Sequence, residues 1–192
     1  YKAIAPDIAF IRATTCDSEG YATFEDEVMY LDALVIAQAV HNNGGIVMMQ
    51  VQKMVKKATL HPKSVRIPGY LVDIVVVDPD QSQLYGGAPV NRFISGDFTL
   101  DDSIKLSLPL NQRKLVARRA LFEMRKGAVG NVGVGIADGI GLVAREEGCA
   151  DDFILTVETG PIGGITSQGI AFGANVNTRA ILDMTSQFDF YH

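Results

Sequence analysis

The chain has little of what several function classes require. Two cysteines, Cys16 and Cys149, are too few and too far apart for a thiolate metal site or a redox pair, and they read as two reduced thiols. Three histidines, His41, His61 and His192, show no ligand spacing, so no metal is expected. There is no excess of basic charge. The net charge is −5 and no stripe interleaves aromatic with basic residues, which argues against a nucleic-acid partner. The basic residues that do cluster, Arg113-Lys114, Arg118-Arg119 and Arg125-Lys126, fall on a predicted helix and are read as its solvated face. No apolar run is long enough to span a bilayer, and no signal peptide is visible. A membrane partner is therefore not expected, and a cytoplasmic location is. Tyr1 is not an initiator methionine and Phe190-Tyr191-His192 stops in mid-pattern, so the chain reads as processed or as a fragment.

What is present suits a folded α/β protein. Hydrophobic residues make up 47% and charged residues 20%, enough for a core, and 192 residues suit one domain or two. Residues 8–14 read as a strand and Asp17-Ser18-Glu19-Gly20 as a turn. Over 25–40, Val28, Leu31, Leu34, Val35 and Ala39 recur at helical spacing. Glu25, Asp26 and Glu27 would occupy that helix's first turn, where the dipole favours them. Asn42-Asn43-Gly44-Gly45 is its stop signal. Residues 46–51 and 71–77 are continuous apolar runs, expected to be strands covered on both faces. Gln50 and Gln52 are expected on opposite faces. Arg12 lies inside an apolar strand and needs a partner, for which Asp7 and Asp17 are the near candidates.

Residues 79–109, with Gly86-Gly87 and scattered polar residues, read as a linker. A helix is predicted over 111–126, with Leu115, Val116, Ala120, Leu121 and Met124 as its apolar stripe and Gly127 as its stop. A second strand-helix-strand pattern follows: strand 128–134, loop 135–139, helix 140–147, strand 153–158. Beyond it come an extended stretch at 172–177 and a helix or turn at 178–184. Repetition on both sides of the linker predicts an α/β protein of two open, mainly parallel-sheet units.

The run Thr156-Val157-Glu158-Thr159-Gly160-Pro161-Ile162-Gly163-Gly164 carries the most chemistry. It sets a carboxylate at the end of an apolar strand, where α/β sheets bind ligands, and follows it with glycines that let a ligand approach the backbone. Glu158 could equally cap a turn or pair with a surface base. Gly160, Gly163 and Gly164 could offer backbone N–H groups to a ligand or simply shape the turn after Pro161. Gly133-Val134-Gly135 with Asp138-Gly139 could cradle a phosphate. The dinucleotide fingerprint nevertheless fails, because Asp138 holds its last glycine position and would repel a pyrophosphate.

Several of these blocks together resemble family I coenzyme A transferases, specifically the acetate/propionate CoA-transferase branch. The Glu158-Thr159-Gly160-Pro161-Ile162-Gly163-Gly164 run is similar to that family's active-site segment. Asp7-Ile8-Ala9-Phe10-Ile11-Arg12-Ala13-Thr14-Thr15, Leu71-Val72-Asp73-Ile74-Val75-Val76-Val77 and Asn131-Val132-Gly133-Val134-Gly135-Ile136 are similar to other family blocks in the same order. The resemblance implies two CoA-transferase domains, both incomplete here: the C-terminal part of the first over 1–78 and the N-terminal part of the second over 110–192. The first domain's glycine-rich signature would lie outside the chain. It further implies that Glu158 is a nucleophile that becomes a glutamyl-CoA thioester. Gly133, Gly135, Gly160, Gly163 and Gly164 would line the coenzyme A side of the cleft. Acyl-CoA and short-chain carboxylates would be the substrates, with no permanently bound cofactor, in a homo-oligomer. Two alternatives stay open: a sugar-phosphate isomerase or ligand sensor of the related fold, which would use the same sheet without a covalent glutamate, and a non-catalytic fragment whose partner segments supply the rest of the cleft.

Overall fold

Strand β1 (Ile8–Asp17) founds the first sheet, and its side chains alternate between buried and exposed over the first six residues. The computed structural model describes residues 3–83, 90, 92–95, 97, 107–157 and 161–165. The chain divides into two compact units, Tyr1–Val90 and Asn91–His192. In the first unit β1 pairs in parallel with β3 (Ile46–Val55), which pairs in parallel with β4 (Ile74–Val77). The short β2 (Ala22–Thr23) adds an antiparallel edge, giving the order β2-β1-β3-β4.

Period-two alternation decides what this sheet buries. Ala9, Ile11 and Ala13 of β1 and Val47, Met49 and Val51 of β3 form one apolar face. They pack with Ala37 and Val40 of helix α1 (Ala33–Asn42). The opposite face carries Ile8, Phe10, Ile46, Ile74 and Val76, all exposed among the described residues. Further along that face Arg12, Met48 and Gln50 are half-buried and Thr14 and Cys16 are buried, so among the described residues the second face is covered only toward the carboxyl end of β1. Gln50 and Gln52 are both half-buried on the same side of β3, because residues two apart repeat a face.

Helix α1 begins well after the predicted start at Glu25. Leu31 adopts a left-handed φ of 45°, which no helix continues through, and the carboxylates of Glu25 and Glu27 and the N–H of Asp26 bond to β1 instead. Glu27 takes the Arg12 guanidinium at 2.7 Å, and Arg12 also donates to the carbonyls of Ser82 and Gln83 at 2.7 and 2.8 Å. Glu25 accepts from the Thr15 hydroxyl and faces Lys53 at 3.5 Å. Neither Asp7 nor Asp17 is the partner of Arg12. The Asp17 carboxylate accepts the N–H groups of Glu19, Tyr21 and Ala58, tying the turn after β1 to the end of β3. Gln81 donates to the Ala13 carbonyl at 2.8 Å and Gln83 to that of Asp26 at 2.7 Å, so the chain after β4 is stitched back onto β1.

The second unit starts with a single helical turn, α2 (Arg92–Ser95), and is built on helix α3 (Gln112–Leu121), strand β5 (Val129–Val132), helix α4 (Ile140–Glu146) and strand β6 (Ile154–Val157). Asn111 caps α3 by accepting the Lys114 N–H at 3.1 Å. The buried side of α3 is Lys114, Ala117 and Leu121, while Leu115 and Val116 are exposed, so the predicted stripe is rotated. Ala117 and Leu121 join Val132, Val143, Ala144, Leu155 and Val157 in the core. The basic residues of α3 are not a free solvated face. Lys114 reaches Glu146 and the Leu108 carbonyl, Arg118 reaches Glu147, and Arg119 pairs with Glu123. β5 and β6 form a two-stranded sheet of their own, outside the hydrogen-bonded order β2-β1-β3-β4. Among the described residues, no helix is long and apolar enough to cross a membrane. The readings at 172–177 and 178–184 lie outside the described residues.

Candidate active site

Strands β5 and β6 run parallel and in register, Val129 opposite Ile154 through Val132 opposite Val157. This register sets which strand ends are neighbours. Val132 is the residue before Gly133, and Val157 is the residue before Glu158. The two loops singled out from the sequence therefore leave the sheet side by side, at the carboxyl ends of adjacent strands, where α/β sheets bind ligands. Within the ladder, the Thr156 hydroxyl donates to the Asn131 side-chain oxygen at 3.1 Å across the paired positions. Glu158 and Gly160 themselves lie outside the described residues.

The segment after Glu158 turns back along β6. The Val157 N–H donates to the Pro161 carbonyl at 3.0 Å, the Gly163 N–H donates to the Leu155 carbonyl at 2.7 Å, and Thr156 bridges antiparallel to Ile162. Gly163 and Gly164 have φ of 83° and 75°, a region that other residues enter only with strain. These values fit a conformational role, and the Gly163 N–H is bonded to the Leu155 carbonyl. Gly141, Leu155, Gly163, Gly164 and Ile165 line part of a cavity of about 300 Å³ on the α4 side of β6.

The loop after β5 is held by a clamp that sequence reasoning did not find. Asp138 is 1% exposed, and both its carboxylate oxygens accept from one terminal nitrogen of Arg113, at 2.6 and 2.7 Å. The same nitrogen donates to the Gly135 carbonyl. Gly135 sits at φ 126° and ψ −135°, with nothing near the position of an added Cβ, so it is glycine for its backbone and not for want of space. The charge of Asp138 is neutralised inside the fold, which corrects the expectation that it would face and repel an anionic ligand. A signal was available in the sequence: Arg113 falls in the first turn of α3, where a cation opposes the helix dipole and is expected to have a partner elsewhere.

Among the described residues, no group of histidine, cysteine, aspartate and glutamate is arranged to hold a metal ion. Both cysteines are free thiols, Cys16 buried and Cys149 half-buried.

Residues 1–78 match the family model described as coenzyme A transferase. Over all 192 residues the chain is 99% identical to the acetate CoA-transferase YdiF of Escherichia coli (strain K12), of which it covers 36%. It is 40% identical to the caffeate CoA-transferase of Acetobacterium woodii over its whole length and 37% of that protein. A crystal structure of the acyl-CoA transferase YdiF from E. coli O157:H7, a thioester complex with CoA, superposes with a TM-score of 0.79. That match has 88% identity and covers 95% of this chain and 36% of the other. The chain thus spans little more than a third of the length of these relatives.

Proposed function

We propose, from the match of residues 1–78 to the coenzyme A transferase family model and the 99% identity to a CoA-transferase, that this chain is a part of such an enzyme and carries the nucleophile of a short-chain acyl-CoA:carboxylate CoA-transferase, Glu158. The observation that carries the reading is the register of β5 and β6, which brings the residues preceding Gly133 and Glu158 into direct pairing at the sheet's carboxyl end. A relative solved as a thioester complex with CoA supports it.

The reaction is ping-pong. The Glu158 carboxylate attacks the thioester carbonyl of the donor and expels coenzyme A thiolate, leaving a mixed anhydride. The thiolate attacks the glutamyl carbonyl of that anhydride and releases the donor's carboxylic acid as its anion. A glutamyl-CoA thioester remains on the protein. The acceptor carboxylate attacks this thioester, expels the thiolate and forms a second anhydride, whose acceptor carbonyl the thiolate then takes. A carboxylate is required because only it forms an anhydride with the acyl group, and water must be kept out because each intermediate hydrolyses. Gly133, Gly135, Gly160 and Gly164 shape the coenzyme A side of the cleft, and Gly163 holds the returning segment on β6. Acyl-CoA and short-chain carboxylates are the substrates, in a cytoplasmic homo-oligomer with no permanently bound cofactor.

The test incubates the full-length protein with acetyl-CoA, quenches with borohydride and reads the peptide spanning 153–168 by mass spectrometry. Reduction at Glu158 is the expected result. Glu158→Gln keeps the shape but removes the nucleophile, and is expected to lower kcat by several orders of magnitude. An unmodified Glu158 in protein that is turning over overturns the covalent route. Near-normal turnover in Glu158→Gln reduces the residue to a structural cap.

A further inference from the structure

The Arg113 clamp is an unusual use of an arginine. It leaves one helix to bind two groups on a neighbouring loop: a carboxylate buried beneath the loop and a main-chain carbonyl within it. Charge-assisted bonds of this kind are the stronger hydrogen bonds of a protein, and the guanidinium is rigid enough to fix both acceptors at once. Their consequence is orientational. A trans peptide carries its C=O and N–H on opposite sides. With the Gly135 carbonyl drawn onto Arg113, the Ile136 N–H is turned to the opposite side of that peptide. Gly135 is the residue least able to hold this setting alone, since its backbone has the widest freedom. The loop also begins directly after Val132, whose partner Val157 precedes Glu158.

We infer that Arg113 is a positioning residue for the CoA-transfer reaction: together with Asp138 it locks the Gly133–Gly135 turn and the 135–136 peptide in the orientation that the acyl-CoA thioester meets when Glu158 attacks. This rests on the reading of Glu158 as the nucleophile. Arg113 does not itself touch the reacting atoms. It acts through the loop, and its loss is expected to slow formation of the intermediate far more than it weakens acyl-CoA binding. Misplacing a reacting centre by about an ångström costs on the order of 100-fold in rate.

The experiment uses the full-length protein as wild type, Arg113→Ala, Arg113→Lys and Asp138→Asn. Acetyl-CoA is the probe, and borohydride quenching at successive times follows the Glu158 adduct. For Arg113→Ala the expected result is an adduct that forms about 100-fold more slowly but reaches the wild-type stoichiometry, with KM for acetyl-CoA within about three-fold. Arg113→Lys keeps the charge, but its ammonium ends one bond short of the terminal guanidinium nitrogen that makes all three contacts, and the variant is expected to fall between. Millimolar guanidinium is expected to restore part of the Arg113→Ala rate. A purely structural role would instead lower the fraction of sites labelled and leave the rate of the remainder unchanged. That pattern, or wild-type rates in Arg113→Lys and Asp138→Asn, overturns the inference. If Arg113→Ala fails to fold, as judged by its circular dichroism, the Arg113→Lys rate decides alone. A wild type that turns over with no adduct at Glu158 sinks the proposed function, whereas normal adduct kinetics in the variants sinks only the role of Arg113.

Discussion

Cys16 lies at the end of β1, fully buried, and burial together with the charge of Asp17 pushes its thiol up to about 11. Only the thiolate is a nucleophile, so near neutral pH this residue is inert twice over, by protonation and by inaccessibility. Iodoacetamide at pH 7.5 is expected to leave Cys16 unmodified in the folded protein and to alkylate it fully in denaturant. Rapid alkylation of the native protein would contradict the burial. The two thiols were legible from the sequence as structural, because neither had a partner within motif spacing. The partner of Arg12 was not. Sequence proximity suggested Asp7 and Asp17, but a strand buried on one face selects partners through space, and Glu27 reaches Arg12 because the chain doubles back over β1. Arg113 was passed over for the same reason, since its acceptors are brought to it only by the packing of α3 on the loop after β5.

Among the elements, the turn after β1 and the 3-10 turn Gly69–Leu71 meet without room for a side chain between them. A Cβ on Gly69 would lie 2.1 Å from the Glu19 carbonyl oxygen and 3.0 Å from the Tyr21 ring, so the backbone must shift to admit it. Gly69→Ala is expected to destabilise the first unit by about 1–3 kcal/mol, as overpacking does, measured by urea unfolding. An unchanged midpoint would show that the contact yields freely. Element identity was readable from apolar pattern: β1, β3, α3, α4 and β6 all fall where the pattern placed them, the short β6 by its apolar, β-branched run. Boundaries and faces were less so. The start of α1 was set by carboxylates recruited to tertiary bonds. The inner face of α3 was set by Ala117, whose small side chain allows close approach, and by Lys114, whose ammonium finds Glu146 and the Leu108 carbonyl at the edge of the core. That the strands leading into the two glycine loops are neighbours followed from a parallel register that no local signal encodes.

At the scale of the whole molecule, each unit has its own apolar core, and the carboxylates over β1 couple the first to pH. Burial raises the Glu27 carboxyl above its ordinary value of 4.5, and the opposing pull of Arg12 does not fully offset it. The folded state therefore binds this proton more tightly than the unfolded chain. The group's contribution to stability is present below pH 4.5 and is lost as pH rises through the raised folded value. Glu25 has the opposite sign. Burial pushes it up, but hydrogen bonds from Thr15 and Thr23 and the charge of Lys53 together bring it below 4.5. Its contribution is present above pH 4.5 and is lost as pH falls through the lowered folded value. Urea unfolding of wild type, Glu27→Gln and Glu25→Gln across pH 3 to 7 is expected to show two separable effects. Glu27→Gln removes a loss of stability on the alkaline side of that reference, and Glu25→Gln removes a loss on the acid side. Identical pH profiles for all three proteins would refute the assignment.

The return of the chain onto β6 has a consequence for solubility. A strand at the rim of a sheet offers its outward N–H and C=O groups as a template, and an unguarded rim invites another molecule to add itself. Here the Val157 N–H and the Leu155 carbonyl are already taken by Pro161 and Gly163. The segment 161–163 thus also closes this rim, so that β6 does not offer these groups to a neighbour that could seed ordered aggregation.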